Sequence, residues 1–378
     1  LYMGAQFLYR TRDMGDTWEK ISPDLSTNDP AKLQQEKSGG LSVDNSSAEN
    51  HCTVYAIGES PKDANVVWVG TDDGNLQLTR DGGKTWSNVT KNLPGLPVCT
   101  WISYVSPSPN DAGTCFVTAD GHMLGDFEPH VFLTRDFGKT WSSLATPAIK
   151  GYAHVVRQDP VNPDLLFVGT EWGLYGSLDG GKQWAQIKAG IPAVAVRDLA
   201  IQPREGDLLV ATHGRGIYVI DDLSPLRSLT RDKLAADAAF LTTRPNVLSI
   251  PRQEQRFSGS ADWAGDELPE AAIVTYYLKK RHLIGDLKVE IFDAAGKKLS
   301  TLSGGRRRGI NRVEWPMRLK GPKLPPAANL VPNLFAFFGP RAAAGTYTAK
   351  LTKNKDTFTT TFTLVGDPRA THTPRVAP

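Results

Sequence analysis

One octapeptide recurs four times in the first half of this 378-residue chain: TRDMGDTW from Thr11, TRDGGKTW from Thr79, TRDFGKTW from Thr134 and SLDGGKQW from Ser177. Each copy follows an alternating or apolar strand (QFLYR, NLQL, HVFL, GLYG) and precedes another short one (TWEKI, TWSNV, TWSSL, QWAQI), so each is a hairpin connection. The residue types suit a tight turn. An Asp carboxylate accepts backbone N–H groups from the residues just after it, Gly supplies a positive φ, and Trp is a large apolar plug.

A second repeated element, ESPKDANVVWVGT, SPNDAGTCFVTA, DPVNPDLLFVGT and QPREGDLLVAT, reads as a turn followed by a buried strand. A further strand precedes it each time: HCTVYAIGE, TWISYVS, AHVVRQ and VRDLAIQ. The unit is thus four strands, A to D, over roughly 43 to 51 residues, the size of a propeller blade. Residues 1–22 supply B, C and D, residues 51–187 supply three whole blades, and residues 196–222 supply A, B and C. An arc of about four and a half blades leaves sheet edges open. The expected partner is therefore an upstream propeller segment or a second chain, with the last D strand drawn from there or from AAFLTT near Phe240.

These repeats resemble the Asp-box, or bacterial neuraminidase repeat, of sialidases, xyloglucanase-type glycoside hydrolases and sortilin-type propellers. In those families the box lies on the blade face away from the active site. The resemblance implies structural roles for Asp13, Trp18, Asp81, Trp86, Asp136, Trp141, Asp179 and Trp184. The segments SPDLSTNDP, GGLSVDNSSAE, GTDDGNLQLTRDGGKTW and THGRGIYVIDD look like a group of large secreted bacterial proteins with sortilin-like propellers. That resemblance implies an extracellular, periplasmic or cell-surface address.

The patterning changes after the propeller repeats. Residues 223–250 read as a linker with a short amphipathic helix, and alternating strands with turns at Ala295-Gly296 and Asn354-Lys355 make 251–368 an expected immunoglobulin-like β-sandwich, with 369–378 a tail. The fold class expected is all-β, a partial Asp-box β-propeller followed by that sandwich. The insert KGPKLPPAANLVPNLFAFFGPRAAAG carries an apolar LFAFF centre, suited to contacts between chains. The connection 22–50 has no strand pattern beyond a short helix after Pro30, and is read equally well as an ordered lid or a loose loop.

Lys and Arg number 21 against 29 Asp and Glu in residues 1–239, and 22 against 11 in residues 240–378, so a net +3 conceals −8 followed by +11. The densest basic points are Lys279-Lys280-Arg281 and Arg306-Arg307-Arg308, read as solvated faces before they are read as binding sites for an acidic polymer or surface. With 40% hydrophobic and 22% charged residues, the chain has the composition of a folded protein. No apolar run approaches the roughly 18 to 20 residues of a membrane helix. Cys52, Cys99 and Cys115 lack metal or redox spacing and suit one disulfide or three free thiols. Nucleotide, Walker, HExxH and GxSxG motifs are absent, and the basic half lacks the aromatic interleaving of nucleic-acid modules. No cofactor or metal is expected; the Asp72-Asp73-Gly74-Asn75 turn offers two or three oxygens where Ca²⁺ needs about six to eight.

Chemistry is expected where the B–C turns and D–A connections share one face. The aligned turns are Gln6; Thr71 to Asn75; Asp120-Gly121-His122 with the extension MLGDFEPH; Glu171-Trp172-Gly173; and His213-Gly214-Arg215. Asp72, Asp73, His122, Trp172, His213 and Arg215 are the candidate ligand contacts. Asp73, Asp120 and Glu171 could supply the two carboxyls of a glycoside hydrolase, with Trp172 as the sugar platform. Tight-turn chemistry explains the same residues without catalysis. The favoured reading is a secreted binding or scaffold module for a protein, peptide or glycan. The alternatives are a sialidase- or xyloglucanase-like glycoside hydrolase and a structural subunit of an extracellular assembly.

Overall fold

A computed structural model describes residues 1–33, 51–188, 190–249, 269–321 and 339–368. The chain separates into two compact units, Leu1–Leu223 and Ser224–Pro378.

The first unit is a run of antiparallel meanders. The first sheet has three strands, β1 (Tyr2–Gly4), β2 (Leu8–Arg10) and β3 (Glu19–Lys20). Three four-stranded blades follow. They are β4 (Val54–Ser60), β5 (Asp63–Thr71), β6 (Leu76–Thr79) and β7 (Ser87–Asn88); β8 (Trp101–Pro107), β9 (Cys115–Asp120), β10 (His130–Thr134) and β11 (Ser142–Ser143); then β12 (Ala153–Gln158), β13 (Leu166–Thr170), β14 (Gly173–Ser177) and β15 (Ala185–Ile187). The last sheet is β16 (Val196–Gln202), β17 (Asp207–Thr212) and β18 (Ile217–Ile220).

Each core lies between consecutive blades, because alternate residues of a strand point to opposite faces. Val67 and Val69 of β5 pack with Leu8 and Ile21 of the first sheet, whereas Val66 and Trp68 face Ile102, Val117 and Phe132 of the next blade. Phe116 of β9 looks the other way, to Val156, Val168 and Tyr175. The middle strands are therefore buried on both faces and read as continuous apolar runs. Small residues let the blades close up: a Cβ on Gly4 would meet Val54 at 2.5 Å, one on Gly169 would meet Val196 at 2.6 Å, and one on Gly70 would overlap Ile102. The architecture is that of a β-propeller, with A strands β4, β8, β12 and β16 side by side along its inner edge.

The octapeptides join C to D, at the opposite end from the B–C turns. In each, the Asp carboxylate accepts the backbone N–H four residues on, at 2.9 Å, from Thr17, Thr85, Thr140 and Gln183 to Asp13, Asp81, Asp136 and Asp179. The leading hydroxyl accepts the N–H of the turn glycine at 2.9 Å, for example Gly83 to Thr79. The Trp then fastens neighbouring blades. Trp86 and Trp184 donate from Nε1 to Ile21 and Leu144 carbonyls of the preceding blade, at 3.0 and 2.9 Å, and Trp141 meets Trp68 edge-to-face at 5.8 Å. Trp18, with no preceding blade among the described residues, is 40% exposed.

The second unit opens with two short helices, α1 (Ser224–Arg227) and α2 (Arg231–Ala235), followed by β19 (Ala238–Leu241), β20 (Asn246–Leu248), β21 (Ala272–Leu278), β22 (Leu287–Phe292), β23 (Lys298–Ser303), β24 (Gly309–Trp315), β25 (Gly345–Lys353) and β26 (Asp356–Gly366). A three-stranded sheet, β19-β21-β24, and a five-stranded one, β20-β26-β25-β22-β23, share one core of Phe240, Tyr276, Val289, Trp315, Tyr347, Phe362 and their neighbours. This is a two-sheet sandwich. Residues 223–250 are consequently more than a linker: both helices and two strands of the sandwich lie within them. AAFLTT also departs from expectation, since Ala238 to Leu241 pair with Leu278 to Thr275 and supply no blade strand. LFAFF, most of the 22–50 connection and the 369–378 tail lie outside the described residues.

Candidate functional site

At the inner edge of the propeller, each A strand breaks register near the B–C turns: between Val54 and Ala56, Trp101 and Tyr104, Ala153 and Val155, and Val196 and Asp198. A bulge sets a residue aside from the ladder and re-aims its side chain. The displaced residues are Tyr55, Ile102 with Ser103, His154 and Arg197. Ser103 turns inward and bonds Thr118 and the Ala153 carbonyl. His154 and Arg197 join the B–C turns in a polar cluster.

That cluster is centred on His154, 5% exposed. Its Nε2 lies 3.1 Å from Glu171 Oε2, its Nδ1 lies 3.4 Å from Arg197 Nη1, and Asp120 Oδ2 stands 3.6 Å from Nδ1. Burial pushes the imidazole below its ordinary range, Arg197 adds to this, and Glu171 and Asp120 oppose it. A neutral ring fits the contacts: Nε2–H donates to Glu171 and Nδ1 accepts from Arg197. Asp120 occupies the position that is Thr71, Thr170 or Thr212 in the other blades. Its Oδ1 takes the backbone N–H of His122 at 3.0 Å and the His122 ring at 2.6 Å, while Oδ2 is buried without a hydrogen bond. Tyr152 stacks on His122 with centroids 4.7 Å apart and meets His154 edge-on at 5.0 Å. Burial and the charge of Glu171 raise its hydroxyl above the usual tyrosine range.

Trp172 is 58% exposed, yet its indole is held against the backbone of Gly151, where a Cβ would overlap it. Beside it the Glu171 side chain is 30% exposed. The extension after Asp120 adds Met123, Leu124 and Phe127, at 57, 55 and 63% exposure, with the Phe127 ring 6.2 Å from Tyr152. Further along the inner edge, a cavity of about 390 Å³ is lined by Tyr55, Ser103, Tyr104, Arg197 and Asp198 among others. Arg157 sits over the Tyr104 ring at 5.0 Å, and burial pushes Tyr104 up to about 12 against the pull of that arginine.

Of the expected candidates, Asp120, His122, Glu171 and Trp172 come together. Asp73 does not join them. It is 1% exposed and its carboxylate accepts the Thr71 hydroxyl, the Thr27 amide at 2.6 Å and the Thr27 hydroxyl at 2.7 Å. Asp72 accepts the amide and hydroxyl of Thr53 at 2.7 and 3.0 Å. Asp72 thus holds the start of the β4 strand, while Asp73, with Asn75 and Gln77, which both donate to the Leu25 carbonyl, fastens the strap formed by residues 22–33. Asp120 and Glu171 form no open acid pair either, since the His154 imidazole fills the space between them. His213 and Arg215 are exposed and pair with no carboxylate among the described residues, so they do not plug the inner edge. Sequence reasoning missed His154 and Arg197 because both lie on strands read for their apolar residues. The available signal was a polar residue directly after the first buried one of each A strand. All three cysteines are free thiols. Among the described residues no helix is long and apolar enough to cross a membrane, and no group of three or more His, Cys, Asp or Glu is disposed to hold a metal.

Blades of antiparallel meanders, bulged at a common inner edge and carrying their polar cluster at the B–C turns, define a propeller protein. No known family profile matches the chain. The oligoxyloglucan-reducing end-specific xyloglucanase of Emericella nidulans is 24% identical over 250 residues, 57% of this chain and 29% of that protein, so the chain spans less than a third of this relative. Among solved structures, the GH74 enzyme of Niastella koreensis aligns with a TM-score of 0.42 at 12% identity, over 95% of this chain and 50% of that one. PorZ, a surface component of the type-IX secretion system of Porphyromonas gingivalis, aligns with a TM-score of 0.38 at 16% identity, over 96% and 50%.

Proposed function

We propose that the Leu1–Leu223 unit is the glycan-facing part of an extracellular propeller of the glycoside-hydrolase type, and that a neutral glucan oligosaccharide stacks on Trp172 beside Glu171. The observation that carries this reading is the pairing of a large exposed indole, pinned over Gly151, with a partly exposed carboxylate oriented by His154. An aromatic plane next to polar hydrogen-bonding groups is the composition of a sugar site. The weak sequence likeness to a xyloglucanase supports the substrate class. The role assigned here is binding, because hydrolysis needs two carboxyls flanking the sugar and Asp120 is enclosed. In the same reading the octapeptides are Asp-boxes and the second unit is immunoglobulin-like.

Calorimetry with xyloglucan oligosaccharides, run beside an assay for released reducing ends, tests it. Saturable binding that Trp172→Ala weakens by about tenfold is expected. No binding, or binding indifferent to Trp172, overturns it. A second reading, a scaffold for a protein or peptide, is favoured by the exposed Met123, Leu124 and Phe127 beside Tyr152. Replacing those three by Ser abolishes partner capture on that reading and leaves sugar binding intact on the first.

A further inference from the structure

The two basic triplets that stand apart in the sequence meet in the second unit. The strands β21 and β24 pair with Leu278 opposite Gly309, so the turns leaving them lie side by side. The amide of His282 donates to the Arg306 carbonyl at 3.0 Å, and Tyr276 donates from its hydroxyl to the Gly305 carbonyl at 2.6 Å. A third turn, between β25 and β26, closes on the first: the Asn354 amide donates to the Asp286 carbonyl at 2.9 Å and the Asn354 side chain abuts Gly285. Residues 279–286, 304–309 and 353–356 therefore form one end of the sandwich.

Eight Lys and Arg residues fall in these three turns against Asp286 and Asp356. Lys353 is taken by Asp237 at 2.9 Å and Lys279 donates to the Ala235 carbonyl at 2.9 Å. Lys280, Arg281, Arg306, Arg307 and Arg308 are exposed and make no ion pair among the described residues. Between the cations, at the apex of the first turn, Leu283 and Ile284 are 71 and 87% exposed. Nothing in the sandwich explains two adjacent aliphatic side chains held in water on a well-formed turn tied down by His282.

We propose that this end of the sandwich docks on a lipid bilayer bearing anionic headgroups, with Leu283 and Ile284 entering the acyl boundary and the arginines and lysines meeting phosphates around them. Cations alone would suit any polyanion. The aliphatic apex decides between them, because a soluble acidic polymer offers no apolar medium for it, whereas an interfacial contact combines buried apolar area with attraction to anionic lipid. The attraction falls off within a Debye length, so only charges grouped at one end contribute together. The pairing of β21 with β24 and the bonds between the three turns bring these cations, distant in sequence, to one end of the sandwich.

Flotation of the full chain with vesicles tests the proposal. Vesicles of phosphatidylcholine with about 30% phosphatidylglycerol should carry the protein up the gradient, pure phosphatidylcholine should not, and raising salt from about 0.1 to about 0.5 M should release it. Leu283→Asp with Ile284→Asp, and separately Arg306→Glu with Arg307→Glu and Arg308→Glu, should each weaken partitioning by about tenfold or more at an unchanged thermal midpoint. The milder Leu283→Ser serves if the double variant fails to fold, and it too should lower partitioning. Failure to float with anionic vesicles overturns the proposal. So does an aliphatic variant that floats like the parent while heparin binds both equally, which would make this end a polyanion site.

Discussion

His154 is held between Glu171, 3.1 Å from its Nε2, and Arg197, 3.4 Å from its Nδ1, so a single buried ring links the acid beside Trp172 to the cation of the next blade. The bulges at 153–155 and 196–198 bring the two blades' side chains to this meeting. An ordinary strand register would have pointed His154 into the interblade core or out of reach of Glu171.

Because burial, with Arg197, keeps the His154 imidazole below its ordinary value near 6.5, the folded chain binds fewer protons there than the unfolded chain. The stabilisation is complete above about pH 6.5 and is lost as the pH falls from there towards the folded value. Urea midpoints measured from pH 8 to 5 should decline over that window, and His154→Gln should flatten the decline. His154→Ala should cost about 1 to 3 kcal/mol at neutral pH, since Glu171 and Arg197 lose a partner. A His154→Gln profile parallel to that of the parent would contradict the assignment.

Asp73 gives a contrasting case. Three donors on one enclosed carboxylate fasten Thr27 and hence the 22–33 strap to the B–C turn of the β4–β7 blade. Asp73→Ala should cost about 2 to 4 kcal/mol and open residues 22–33 to limited proteolysis. Oligosaccharide binding at Trp172 should be unaffected, as Trp172 sits two blades further on. Loss of binding without loss of stability would return Asp73 to the functional cluster.

The octapeptide turns were legible because their chemistry is local: the hydroxyl, carboxylate and glycine of each copy are satisfied within eight residues, and Trp86, Trp141 and Trp184 by their own turn or the blade next door. The hydrogen-bond partners of Asp72 and Asp73 were not legible, for a related reason. An acidic tight turn looks alike whether its carboxylates face a ligand or a strap, and Thr27 and Thr53 are far away in sequence. His154 and Arg197 depend on register shifts, which arise from pairing between strands and leave little trace in either strand alone. The sandwich boundary slipped because 238–248 pairs with strands more than twenty residues downstream, β19 with β21 and β20 with β26.

Gly70 tests how the blades are joined. A methyl group there would overlap the Ile102 side chain at the start of the next blade, and the neighbouring backbone leaves no slack. Gly70→Ala should destabilise the propeller by about 1 to 3 kcal/mol and Gly70→Val by more, as overpacking of a close contact does. Denaturant midpoints should fall with an unchanged slope. A neutral Gly70→Val would mean that the blades are not packed as tightly as their glycines imply.

The octapeptide aspartates should contribute to acid stability. Asp81 and Asp136 are held down to about 2, chiefly by hydrogen bonds from the Thr85 and Thr140 side chains and then by the amides of those residues. A carboxylate depressed on folding contributes stability above its unfolded value near 3.8, and that contribution disappears as the pH falls towards 2. The parent chain should therefore lose part of its stability between about pH 4 and pH 2, by an amount that solvent screening of these exposed carboxylates keeps modest. Asp81→Asn with Asp136→Asn keeps the shape of both turns but removes the titration, so it should start less stable at neutral pH and change less over that window. The difference between the two chains should shrink on acidification, since the parent's carboxylates become neutral as the variant's amides already are. A gap that stays constant from pH 6 to pH 2 would show that ionisation of the two aspartates does not carry the difference.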